Sequence, residues 1–551
     1  MYADFIQTQA YFVKKDITGG FGYENEIENS FFSFQPYTRI DYRLGQRKEQ
    51  FFEVRHAHPL GKDLNVDFGF KRIRSEGFYQ RQNTNNTSVK LGSWYRSPGR
   101  RYAATLQCNW TMFNVAENGG ISNDSLFEYA EQLDRKLVSV QLLNAQNKIS
   151  KKSGEFVQYF SFGNVIDTLS LQSDSIKFRT RIRPSHIIKL NTRVQDEYFV
   201  FRDNSPDSNY YNVFYLDSSL TQDSIYSSQV SSGLFYQYLN ISKKNRFVKL
   251  TLGPKLEAGR TINDTIKEYY NNISSDLSFL SQFKFEKLQF HFRIDGWYVM
   301  SGFNKQNYTG NANFSLGNTA GTWFLYSQMN FQSISPGFIY RRFSGNHYRW
   351  YNDFQNQNVG EVEAGLETEG IGILKKSSVS VKYAGIENYL FFDSTYLPQQ
   401  ENGLIQTWSF KLDGKIQAGI FNSRTTFVYN HIPESPIRLP DVFLYESVYL
   451  NFKLFRKALQ MQAGIDFTFI SSYRAEGYEP SIGQFYVQNG KNLRSYLYVD
   501  TWVSLKIKPV MFFVKADHAN AGMMGRVYYM MPNYPQNDLA LKFGISWIFN
   551  D

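Results

Sequence analysis

Two histidines set two apart, His56 and His58 in "RHAH", are the nearest thing in the chain to a metal-binding pair. Residues two apart on a strand share a face, and that spacing suits two ligands. No nearby cysteine or acidic ligand completes the set, so the expected role is a polar strand face near a rim. No Gly-rich phosphate loop, nucleophile elbow or HExxH is present, and no catalytic, metal or cofactor residue is assigned. The expectation is a protein that is not an enzyme. Scattered Ser, His and Asp meeting inside a barrel, as in a barrel phospholipase or protease, form the weaker alternative.

The richest polar segment is "SPGFIYRRFSGNHYRWYNDF", residues 335–354. Arg341, Arg342, His347 and Arg349 stand there among Tyr340, Tyr348, Trp350 and Tyr351. Such a mixture can stack on sugar rings while hydrogen-bonding hydroxyls or carboxylates. Two placements are open: an inward fold as a constriction, or a packed external loop that stabilises a rim. Segment 115–153, with Asp124, Glu128, Glu131 and Asp134, is expected to face this basic loop across a pore.

The remaining charged residues fall into a two-residue rhythm. In "LQFHFRID", Leu288, Phe290, Phe292 and Ile294 alternate with Gln289, His291, Arg293 and Asp295. In "TRIDYRL", Arg39, Asp41 and Arg43 oppose Thr38, Ile40, Tyr42 and Leu44, and near the end Lys506 and Lys508 oppose Val503, Leu505 and Ile507. "LQMQAGIDFTF" and the terminal "LALKFGISWIFND" repeat the pattern, with Ile548 alone out of step. Successive strand side chains point to opposite faces. The polar sets, Arg39, Asp41, Arg43, Gln289, His291, Arg293, Asp295, Lys506 and Lys508, are therefore expected to face water, and the apolar sets lipid.

Composition supports strands over helices. The 551 residues are 42% hydrophobic and 17% aromatic, with 39 Tyr and 49 Phe, while mean hydropathy is only -0.45. Tyr, Phe and Thr alternating with polar residues favour sheet. The single Cys108 rules out an internal disulfide framework and reads as a small packed residue. No run approaches the roughly 18 apolar residues of a transmembrane helix, and "MYADFIQTQAYFVKK" is not a signal peptide. The net charge of +10 comes without a nucleic-acid motif, so no nucleic-acid partner is expected. Basic residues on a water face favour anions, whereas basic residues at an outer rim suit lipopolysaccharide phosphates.

The links alternate in length. Tight ones are expected at "LDGK" (412–415), "FRKA" (455–458) and "IKPV" (507–510), and long ones at 115–153, 335–356, 473–492 and 519–537. This alternation predicts an all-β fold, a closed antiparallel transmembrane β-barrel of about 22 strands (range 16–24), with short periplasmic turns and long extracellular loops. An open sheet of that size would leave edges too costly in lipid. The expected division is a truncated N-terminal segment, periplasmic or lumenal, over 1–29 and the barrel over 30–551. A soluble propeller or paired sandwich is the competing fold, but no repeat of roughly 40 to 50 residues supports blades.

Several ordered blocks carry a family resemblance. "IPESPIRLPDVFLYESVYLNFKLFRKALQMQAGIDFTFISSYRAEGYEPSIGQFYVQN" and "MMPNYPQNDLALKFGISWIFND" resemble the putative porin family of Bacteroidota outer membranes. "SGNHYRWYNDF", "ENGGISNDSLF" and "EQFFEVRHAHPL" look like further family blocks. The resemblance implies an outer-membrane β-barrel with a pore for passive diffusion of small polar solutes, and supplies no catalytic or ligand residues. Expected partners are outer-membrane lipid and lipopolysaccharide, barrel-assembly machinery through the C-terminal strand, and the solutes themselves. Two other functions stay open: a barrel subunit of a larger uptake or secretion assembly, and a soluble all-β binding protein.

Overall fold

The computed structural model describes residues 14–15, 21–22, 33 and 35–550, apart from 130–133, 164, 173–174, 183–184 and 243–245. The expected N-terminal segment over 1–29 therefore lies almost wholly outside the described residues. Among the described residues, twenty-two antiparallel strands close into one barrel. In chain order the first eleven are β1 Tyr37–Gly45, β2 Gln50–Leu60, β3 Leu64–Ser75, β4 Thr84–Arg96, β5 Tyr102–Glu117, β6 Ala145–Phe162, β7 His186–Asp203, β8 Thr221–Ser242, β9 Arg246–Asn263, β10 Ile266–Phe285 and β11 Leu288–Gly302. The rest are β12 Tyr308–Asn318, β13 Trp323–Ile334, β14 Gln357–Ile371, β15 Leu374–Glu387, β16 Ile405–Ala418, β17 Phe421–His431, β18 Val442–Leu454, β19 Leu459–Ile470, β20 Tyr496–Ile507, β21 Val510–Asp517 and β22 Ala540–Asn550. No helix among the described residues is long and apolar enough to cross a membrane.

Closure joins the ends of the chain. β1 pairs with β22, setting Ile40 opposite Trp547 and Asp41 opposite Ser546. That register carries the two-residue rhythm across the seam: Leu541, Phe543, Ile545, Trp547 and Phe549 fall on the face of Thr38, Ile40, Tyr42 and Leu44. Ile548 pairs with Arg39 on the opposite face. Ring-wide, the apolar face is the outer one. Leu91, Leu234, Leu256 and Phe543 remain 51–57% exposed there, as a surface solvated by lipid requires.

All but one of the long connections open at one end. Segments 118–144, 204–220, 335–356, 388–404, 432–441, 471–495 and 518–539 all leave from the rim opposite the termini. Most links at the other rim are short, among them 286–287, 372–373, 419–420, 455–458 and 508–509. One link departs from that rule: between β6 and β7 the strands Val165–Gln172 and Ser175–Ile182 pair as a hairpin. "LDGK" is not a turn, because β16 runs through 412–415 and reverses only at 419–420. Asp413 alternates with Leu412 and so fits a strand as well as a turn.

The wall is uneven in height. β6 to β10 hold 18 to 22 residues each, against 8 in β21. Ten extra residues add about 30 Å of strand, so this side of the wall rises toward the long-loop end. Elsewhere inward aromatics fill the space over inward glycines. A Cβ on Gly464 would lie 2.7 Å from the Trp502 ring, and one on Gly544 only 2.0 Å from the Phe513 ring.

Three single-residue expectations are corrected. Cys108 is exposed, not packed, because its strand position places it on the outer face with Leu106 and Trp110. His56 and His58 do share a face, with rings 5.8 Å apart, but it is the outer face. There His56 Nδ1 lies 2.8 Å from the Thr38 hydroxyl, opposite Phe68. Lys508 lies exposed in the turn after β20, not on a strand face.

Candidate functional site

Twenty-two strands spaced about 4.8 Å apart and tilted by about 40° enclose a ring about 40 Å across between backbones. Inward side chains of the wall do not fill such a width, so its contents depend on charge and on the loops.

The inward wall is charged but largely self-neutralised. Arg39 pairs with Asp41 at 2.8 Å and Arg55 with Glu53 at 2.6 Å. Lys382 pairs with Glu361 at 2.6 Å, Lys376 with Glu367 at 2.7 Å, and Lys515 with both Asp500 and Asp517. Inward residues two apart, or opposite on neighbouring strands, sit close enough for such pairs. Among the expected water-facing residues, Arg293 is paired with Asp295, which also accepts from Ser278 at 2.6 Å. Arg43 lies over the Phe51 ring at 4.2 Å. Gln289 and His291 stand on the same face, opposite Lys284 and Gln282 of β10, and Lys506 stands opposite Gln460 of β19.

Loop 335–356 turns into the barrel mouth. Its backbone amides at Ser344 and Asn346 donate to Asn263 at 2.6 Å and Asp223 at 2.9 Å, both inward residues of the tall wall. A short helix, α1 Phe338–Arg341, buries Phe338, Ile339 and Tyr340 against Ile225, Phe392 and Ile482. Arg341 grips Glu268 of β10 with both terminal nitrogens at 2.7 Å, and Arg342 stands 3.8 Å from the same carboxylate. Arg349 covers the Tyr215 ring at 4.5 Å. Trp350 stacks on Phe343 and donates to the Ile339 carbonyl at 2.8 Å. His347 donates from Nδ1 to the Val213 carbonyl at 2.9 Å, its Nε2 lies 2.8 Å from the Thr221 hydroxyl, and burial pulls its imidazole below the ordinary range. The five expected loop residues are thus brought together, and their contacts run to the wall, to loop 204–220 and within the loop itself.

Loop 471–495 reaches further. It leaves β19 and returns to β20, yet Tyr478 donates to Glu117 at the end of β5 at 3.3 Å, and the Pro480 carbonyl accepts from Asn147 of β6 at 3.0 Å. From β20 through β22 and β1 to β6 is eight strands in a ring of 22, so the loop crosses most of the mouth. Glu479, 1% exposed, accepts from Ser481 and from Tyr210 of loop 204–220 at 3.0 Å. Burial pushes its carboxyl up from the ordinary carboxylate range.

The other loops lock onto these two. The Val487 amide donates to the Phe392 carbonyl of loop 388–404 at 2.7 Å. Of the acidic segment expected to face the basic loop, Asp124 instead pairs with Lys491 of loop 471–495, and Glu131 lies outside the described residues. Phe127 of the same segment is fully buried among Tyr79, Tyr528 and Tyr529. Glu117, Asn147, Asp223, Glu268, Tyr478 and Glu479 were not expected as site residues. Their partners lie up to 361 residues away in sequence, and no local spacing marks them.

The architecture is shared with solved iron and siderophore receptors. PirA, a siderophore receptor of Acinetobacter baumannii, matches with a TM-score of 0.65 at 9% identity over 94% of this chain and 81% of its own. The FrpB iron transporter of Neisseria meningitidis matches at 0.63 and 9% over 94% and 83%. Fiu, the ferric-catecholate import receptor of Escherichia coli, matches at 0.62 and 9% over 94% and 82%. At that identity the likeness concerns the fold. No protein of curated function matches the chain. The family model described as putative porin matches residues 17–551, and with its closed barrel of twenty-two strands the chain belongs to that family of outer-membrane transport proteins.

Proposed function

We propose that this chain is an outer-membrane channel through which small polar solutes diffuse passively, with folded loops narrowing the extracellular mouth. The observation that carries the reading is the inward face. It is polar and ion-paired in β1, β2, β11, β14 and β15, while the outer face of the same strands is mostly apolar, with Thr38, His56 and His58 as polar exceptions on β1 and β2. Paired charges leave a wet surface that holds no single ion strongly. The anion preference suggested by the net charge of +10 is correspondingly weak, because Arg39, Arg293 and Arg341 each share a carboxylate. No catalysis belongs to this reading.

Outside the barrel, the apolar face meets lipid, and Arg72 and Arg74 on the outer face near the long-loop rim suit lipopolysaccharide phosphates. The terminal strand, with Leu541, Phe543, Ile545, Trp547 and Phe549 on its outer face, is the element offered to barrel-assembly machinery. Reversal potentials in a salt gradient across planar bilayers test the reading. Conductance with a small anion bias that fades at high salt is expected, and strong cation selectivity would contradict it.

A second reading has its own support. The loops interlock across the mouth, and solved iron and siderophore receptors share the fold. In that reading the barrel serves a larger uptake assembly and opens only with its partners. Purified protein that inserts into bilayers without conducting would favour it.

A further inference from the structure

Where loop 471–495 meets β5 and β6, the joint is made by carboxyl groups with no cation beside them. Glu117 of β5 is 6% exposed and Glu479 of the loop 1% exposed. Glu117 Oε1 accepts from Asn147 Nδ2 at 2.7 Å and from the Tyr478 hydroxyl at 3.3 Å. Glu479 Oε1 accepts from the Ser481 amide and hydroxyl at 3.1 and 2.6 Å, and its Oε2 accepts from the Tyr210 hydroxyl at 3.0 Å. Every one of these partners is neutral. Among the described residues, no lysine, arginine or histidine pairs with either carboxyl. Loop 335–356 is built the other way, since Arg341 meets Glu268 as an ion pair.

The titratable groups that face Glu479 are phenols: Tyr210 and Tyr211 of loop 204–220, Tyr348 of loop 335–356, Tyr396 of loop 388–404, and Tyr486 of its own loop. Tyr534 of loop 518–539 faces both carboxyls, and Glu479 faces Glu117. Phenols carry no charge near neutral pH. Asn147, itself 3% exposed, keeps its Oδ1 without a partner, as does the buried Tyr534 hydroxyl. A protonated carboxyl has one O–H to donate, and an ionised one has none. The joint therefore holds spare acceptors for a proton and no positive charge for a carboxylate.

Ionising one buried carboxyl among neutral partners is costly, and ionising a second beside it costs more, because like charges repel in a dry site. We infer that Glu117 and Glu479 form a proton-operated latch: loop 471–495 docks on β5 and β6 while the joint holds a proton, and lets go once both carboxyls are ionised. That release widens the mouth, a consequence that rests on the channel reading. Burial pushes the Glu479 carboxyl up from the ordinary range, the direction the latch requires. A docked loop that binds more protons than the free one is stabilised as pH falls, and loses that stabilisation as pH rises through the docked value. The sense is opposite to that of His347, whose buried imidazole favours the deprotonated form.

Hydrogen exchange on full-length protein in bilayers, expressed as protection factors so that the intrinsic pH dependence of exchange drops out, tests the latch without reference to transport. Protection of residues 477–486 should fall at least about fivefold between about pH 5.5 and 8.5. In Glu117→Gln with Glu479→Gln, whose amides cannot ionise, protection should stay flat across that range. Heat-modifiable mobility reports separately that the variant barrel has folded. Glu479→Gln alone should at least halve the fall, which keeps the test decisive if the double variant does not fold. Wild-type protection that stays flat or rises with pH overturns the latch, and so does a fall that the folded Gln variants retain in full. Single-channel conductance over the same range separates the two readings: exchange that follows pH with conductance that does not leaves the latch standing and removes the channel.

Discussion

The His347 imidazole lies flat on the Tyr211 ring, with centroids 3.7 Å apart and planes within 6° of parallel. This stack joins loop 335–356 to loop 204–220, and both ring nitrogens are engaged by Thr221 and Val213. Burial holds the imidazole below its ordinary range. The folded loop therefore prefers the neutral ring. Its stabilisation is complete above the unfolded value and is lost as pH falls through the lower folded one. Hydrogen exchange of residues 335–356 should accelerate as pH drops below about 6, and His347→Gln should remove that acid-side component. Exchange that stays flat through this range would contradict the assignment.

Arg341 and Glu268 form a nearly buried bidentate pair, with side chains 16% and 6% exposed. Removing Arg341 leaves Glu268 with Arg342 alone, 3.8 Å away. Arg341→Met should weaken docking of the loop by about 1.5–3 kcal/mol, read as faster protease nicking between 335 and 356. The double variant Arg341→Met with Glu268→Leu should recover much of the loss. If the double variant is as labile as the single, the pair does not pin the loop.

On β11, Ile294 faces out and His291 faces in. Ile294→Arg should cost roughly 2–4 kcal/mol of barrel stability in bilayers, and His291→Arg should be mild. Phe467→Arg, also on the outer face, should be cheaper than Ile294→Arg because Glu446 stands directly opposite. Equal costs for Ile294→Arg and His291→Arg would argue against lipid on one side of the wall.

Gly464 makes room for two inward aromatics. A Cβ there would stand 2.7 Å from Trp502 Cζ2 and from Tyr449 Cβ, while the Trp502 indole donates to Asp466 at 2.9 Å. Gly464→Ala should therefore destabilise by about 1–3 kcal/mol, measured by urea unfolding in bilayers. Gly414, with nothing within 4 Å of its Cβ position, should accept Ala within about 0.5 kcal/mol.

The barrel was legible because two solvents impose a period of two on every wall strand. Residues 288–295 show the consequence: four apolar side chains outside, four polar ones inside, as the alternation predicts. The tight links at 455–458 and 508–509 were equally readable, whereas "LDGK" misled because Asp413 and Lys415 are polar for the lumen and not for a turn. The mouth was not readable. Tyr478 meets Glu117 and Arg341 meets Glu268 only after the ring has closed, and no periodicity records which loop crosses it. His56 and Cys108 misled for a different reason: residue type suggested a polar or packed position, and register put both on the outer face.

The central claim is that the lumen is a transport route narrowed by loops. Single-channel recording on purified protein, alongside a variant with residues 477–486 replaced by a short Gly-Ser link, tests it most directly. That replacement removes Tyr478 and Glu479, the residues that reach Glu117 and Tyr210 across the mouth. The account predicts small steady conductance for the intact protein and conductance at least severalfold larger for the variant. A variant that folds and inserts yet conducts no better than the intact protein would contradict it.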